Sequence, residues 1–66
     1  MYLAYTHIQY HSDGTATVYF QNKITGAEKT QVYKTVGAAR CAETKFFNRF
    51  YRVYGHIDNK KGDTIV

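Results

Sequence analysis

The 66-residue chain has no proline, no tryptophan, one cysteine and only five acidic residues. A lone Cys41 excludes an internal disulfide, and a reducing compartment is the natural inference. His7, His11 and His56 are scattered without the paired spacing of a zinc site, so no metal is expected. The opening MYLAYTHIQYH has neither a basic leader nor a long apolar run, and no window approaches the roughly 20 apolar residues of a membrane span. Export and membrane insertion are therefore not expected, and the localisation predicted is cytoplasmic, or host-cytoplasmic for a viral product. Asp13, Glu28, Glu43, Asp58 and Asp63 fall mostly in turns or near the end, and no two can be argued to share a pocket. No catalytic residue, no cofactor and no enzymatic activity are expected. There is no repeat, no low-complexity tract and no linker, which leaves one small domain over residues 1–66.

Two features stand against these absences. Seven tyrosines and four phenylalanines make the chain 17% aromatic. A domain this short hides only about 60% of its unfolded surface, and buried rings are its best source of apolar area. The second feature is charge: nine Lys and Arg against five Asp and Glu give a formal net charge of +4 and a pI near 9.3. Polyanions are the first partners to consider, although the same charge also serves solubility.

The segment Thr35 to Tyr54, TVGAARCAETKFFNRFYRVY, carries the strongest periodicity. At 100° per residue, Ala39, Ala42, Phe46, Phe50 and Val53 fall within about 80° of one another and predict a core-facing helical stripe. Glu43, Phe47, Tyr51 and Tyr54 widen it on one flank, and Lys45, Arg49 and Arg52 gather on the other. Thr35 is placed to cap the N-terminus and Gly55 to stop the helix. Cys41 lies opposite the stripe and reads as a bystander.

Strand signals precede the helix. YLAYTHIQYH is rich in aromatic and β-branched residues, and Ser12-Asp13-Gly14-Thr15 is a turn, so the first two strands should form a hairpin. ATVYFQN alternates, with Ala16, Val18 and Phe20 inward and Thr17, Tyr19 and Gln21 outward. Lys23 to Ala27 makes a second turn with Gly26 at positive φ, and EKTQVYK is the third strand. The predicted fold is α+β, three antiparallel strands packed on one helix, with residues 60–66 a flexible tail after a possible return of His56 to Asn59 along the sheet edge.

The sheet side away from the helix then holds Tyr19 and Gln21 with His7 and Gln9, beside Gln31 and Tyr33, or Lys34, from the third strand. A one-residue slip in strands one or three would exchange these sets. Amides for base edges, aromatic bodies and ammonium groups for phosphate make this a candidate nucleic-acid surface, comprising Tyr19, Gln21, Lys23, Lys29, Gln31, Tyr33, Lys34, Arg49 and Arg52. The alternative is a small viral or mobile-element effector that grips a host protein through the tyrosine-rich face or a strand edge. A homodimer would suit so thin a core.

The element order and the string KTVGAARCAETKFFNRFYRVYGHIDN resemble the small DNA-binding domains, three strands and a helix, found in phage-type integrases and plant ethylene-response factors. Over residues 16–59 the carriers are Thr35 capping a helix that opens with Ala38 and Ala39, and Tyr54-Gly55 followed by Asn59. The resemblance implies a sheet lying in the major groove of DNA with the helix behind it. By strand position it assigns base or phosphate contact to Tyr19, Gln21, Lys29, Gln31 and Tyr33. Where that family carries arginines and a tryptophan on its strands, this chain offers Lys23, Lys29 and Lys34.

Overall fold

A computed structural model describes residues 2–56 and 58–65. The elements run β1 (Ala4–Tyr10), β2 (Ala16–Asn22), β3 (Ala27–Tyr33), α1 (Val36–Tyr54) and β4 (Asn59–Ile65), an α+β fold with one helix and one sheet. The strand order is β3-β2-β1-β4, with the β1–β2 and β2–β3 pairs antiparallel and β4 parallel to β1.

The first hairpin forms where expected. Asp13 Oδ1 accepts from the Thr15 hydroxyl at 2.6 Å and from its N–H at 3.0 Å, bonds that hold the carboxyl below its usual range. Gly14 supplies the positive φ of 91° that the turn requires. The second hairpin turns on Gly26 at φ 79°, whose N–H donates to the Asn22 carbonyl at 2.8 Å. Its four-residue loop pairs Asn22 with Ala27, Phe20 with Lys29, Val18 with Gln31 and Ala16 with Tyr33.

The helix begins at a Thr35 hydroxyl that accepts from Ala38 N–H at 3.1 Å and ends at Gly55, whose N–H donates to the Tyr51 carbonyl. Its buried residues are Ala39, Glu43, Phe47 and Phe50. The core stripe is thus rotated by roughly 55° from the one the apolar residues alone predict, toward the flank that includes Glu43 and Phe47. Val53, expected inside, is 65% exposed, and Ala42 and Phe46 are half-buried. The rotation follows from a polar contact: Glu43 Oε2 accepts at 2.6 Å from the hydroxyl of fully buried Thr6, which points inward from β1. A buried carboxylate held this way is as much a part of the interface as a ring.

Two packed clusters lie between the layers. Ile8, Ala16, Val18, Phe20 and Ala39 form one, Ala4, Phe47 and Phe50 the other, and Phe46 packs against both. Phe46 bridges them through ring centroids 5.2 Å from Phe20 and 5.4 Å from Phe47.

The segment expected to be a flexible tail is β4. Asn59 through Ile65 pairs residue by residue with Ala4 through Tyr10. Leu3 N–H donates to the Asp58 carbonyl at 2.8 Å just before the ladder begins. The return expected over His56 to Asn59 is made instead by β4, which starts only at Asn59; Ile57 of that return and Val66 of the tail lie outside the described residues. Seven residues with so few apolar side chains give no alternation to read, because their contribution is a backbone ladder on an edge.

Candidate nucleic-acid interface

Because paired residues share a sheet face, register decides which side chains meet. Thr17, Tyr19 and Gln21 of β2 lie opposite Gln9, His7 and Tyr5 of β1 on the side away from the helix. From β3 this face receives Glu28, Thr30 and Val32, and from β4 it receives Lys60, Gly62 and Thr64. Gln31, Tyr33 and Lys29 are not on it. Their partners Val18, Ala16 and Phe20 are core residues, so these three point to the helix side, a one-residue slip from the predicted arrangement. Lys34 lies in the bend beyond β3. Of the residues expected on the outer face, Tyr19, Gln21, His7 and Gln9 are there, and Lys23 stands at its end.

Tyrosines dominate that face, and no other element of the described chain packs over it. Tyr5 and Tyr19, on the two central strands, stand 6.0 Å apart edge to face, and Tyr2 lies 5.5 Å from Tyr5. The Tyr5 and Tyr19 hydroxyls are tied down. Tyr5 Oη bonds His7 Nδ1 at 3.0 Å, His7 Nε2 bonds Thr64 Oγ1 at 2.8 Å, and the Tyr19 hydroxyl donates to Glu28 Oε1 at 3.0 Å. Partial desolvation and Glu28 push the Tyr19 hydroxyl above its usual pKa. Lys23 and Lys60 reach the Tyr2 ring, with their ammonium groups 4.0 and 5.6 Å from its centroid. Tyr2 and Tyr5 gave no clear alternation in the sequence, since tyrosine suits either side of a strand; the cation pair at Tyr2 was not foreseeable without β4.

The other predicted residues meet on the helix side. Lys29 and Tyr33 of β3 face Ala42, Lys45, Phe46 and Arg49 of the helix across a groove floored by Phe20. The groove's cationic wall continues along the helix through Asn48 to Arg52. Lys29, Lys45, Arg49 and Arg52 therefore gather four of the nine cations, and no carboxylate lines either stretch. The remaining cations near the helix are engaged elsewhere. Lys61 Nζ lies 3.8 Å from Glu43, and Arg40, beside the Tyr10 hydroxyl and facing Glu43 and Asp63, is held more firmly protonated than usual.

Among the described residues no group of three or more His, Cys, Asp or Glu could hold a metal ion, and no helix is long and apolar enough to cross a membrane. Cys41 is exposed. Comparison with known proteins gives no matching family, no similar curated sequence and no similar solved structure.

Proposed function

We propose that this chain is a small non-enzymatic nucleic-acid-binding module, acting in the cytoplasm. The observation that carries the proposal is the carboxylate-free row of Lys29, Lys45, Arg49 and Arg52 between β3 and the helix. Such a row, with no carboxylate among its lining residues, is the kind of basic footprint that draws a phosphate backbone and supplies affinity without sequence preference. The tyrosine-bearing outer face adds Tyr19, Gln21 and Lys23 as candidate base contacts, and DNA is the favoured ligand. Tyr33 lines the basic groove and Gln31 lies on the same side of the sheet, where a phenol and an amide can bind sugar or phosphate.

Titration of labelled DNA at about 50 and 200 mM salt tests this. Four phosphate contacts predict a log-log slope of affinity against salt between about −3 for a single strand and about −3.6 for a duplex, a loss of well over tenfold across that range. Arg49→Gln combined with Arg52→Gln should lower the slope by about two. Absence of binding at the lower salt would contradict the proposal.

One observation favours a second reading, a protein-binding effector of viral or mobile-element origin. β3 is an edge strand exposed along nearly its whole length, with Val32 65% exposed, and the tyrosine face beside it is uncovered. Strand addition and tyrosine anchors are both common modes of protein recognition. Binding to a protein partner that persists at high salt while nucleic acid fails to bind would select it.

A further inference from the structure

The fourth strand changes which nucleic acid the outer face can take. Three strands span about 10 Å between their outer axes, whereas four span about 14 Å before side chains are added. The major groove of B-DNA is only about 12 Å wide and admits a helix or a narrow β-ribbon. With β4 paired to β1 along its full length, the aromatic cluster of Tyr5, His7 and Tyr19 sits on the two inner strands, flanked on both sides. A duplex resting on β3 and β4 could not bring its base edges down to those rings. Unpaired bases can reach them.

Resting on the nucleic-acid reading above, we infer that the ligand is a single strand, with its bases stacked on Tyr2, Tyr5 and Tyr19 and its phosphates drawn to Lys23 and Lys60. The Tyr5 and Tyr19 rings suit this task because their hydroxyls are fixed by His7 and Glu28, so little of their side-chain freedom is lost on stacking. Lys23 and Lys60 converge on Tyr2, which puts positive charge at the end of the ring cluster, where a backbone would enter or leave. The position of the basic groove points the same way. It opens on the opposite side of the sheet, beyond the edge strand β3. A stiff duplex can lie on one of the two surfaces, and only a flexible strand can bend around that edge to occupy both.

The test compares a labelled single strand of roughly 16 nucleotides, the upper site size of small single-strand-binding folds, with the same strand annealed to its complement. Single strand should bind at least about tenfold more tightly. Tyr19→Leu and Tyr2→Leu, both confirmed folded by thermal melting, should each weaken single-strand binding by about tenfold and leave the salt slope unchanged. Tyr2 precedes β1, so its replacement disturbs no ladder. Equal or tighter duplex binding, or single-strand affinity indifferent to both tyrosine variants, would overturn the single-strand inference while the module remained a nucleic-acid binder. Failure of both ligands to bind at low salt would overturn the inference together with the reading beneath it.

Discussion

Phe47 and Phe46 are neighbours in sequence and differ in consequence. Phe47 is 3% exposed at the centre of the second cluster, with Tyr51 stacked beside it, while Phe46 is half-buried at the rim of the basic groove. Phe47→Ala should cost about 3 to 5 kcal/mol, close to the whole stability of so small a domain. Phe46→Ala should cost less, and Val53→Ala should stay within about 0.5 kcal/mol. Urea denaturation of the three variants checks the order; a helix stripe centred on Phe46 and Val53 would reverse it. Sequence periodicity located this helix and its two caps but not its rotation, because Glu43 counts as polar in any apolar pattern. Only the placement of Thr6 on β1 shows that its carboxylate has a buried partner.

Strand by strand, legibility followed burial. β2 alternates buried and half-buried residues, and its inner face of Ala16, Val18 and Phe20 is plain in the sequence. β3 is exposed on both sides except at Tyr33, so nothing in AEKTQVY distinguishes one face from the other; the four-residue loop after Asn22 sets its register instead. That loop moved Lys29, Gln31 and Tyr33 from the expected face to the helix side of the sheet, where Lys29 and Tyr33 line the groove. β4 was invisible for a related reason: its residues join the sheet through backbone pairing and reach the helix through contacts such as Asn59 to Tyr51 and Lys61 to Glu43. Gly62 reports on this strand. A Cβ there would meet His7 Nδ1 at 2.8 Å and Tyr5 Oη at 3.1 Å, so Gly62→Ala must shift His7 and strain the Tyr5–His7–Thr64 chain of bonds. Melting should show a loss of about 1 kcal/mol, and hydrogen exchange should show faster exchange of β4 amides, with β2 and the helix less affected. Unprotected β4 amides in the unmodified protein would mean that the parallel ladder does not form.

Taken as one body, the molecule divides its surface by chemistry. Its outer sheet face carries tyrosines with Lys23 and Lys60 at one end, its β3–helix groove carries four cations, and its Glu43 side is charge-compensated by Lys61 and Arg40. Glu28 is the one carboxylate among the paired residues of the outer face, and it is occupied by the Tyr19 hydroxyl. The basic composition made a polyanion the first partner to consider, yet no sequence pattern could show that the cations would collect on one side of the helix and the tyrosines on the far side of the sheet. The most direct measurement is an NMR titration of the isotope-labelled protein with a single-stranded oligonucleotide at about 50 mM salt. The largest shifts should fall on Tyr2, Tyr5, His7, Tyr19, Gln21 and Lys60, with a second set on Lys29, Lys45, Arg49 and Arg52. Shifts confined to the Glu43, Lys61 and Asp63 side, or no shifts at all, would contradict the assignment of these surfaces to nucleic acid.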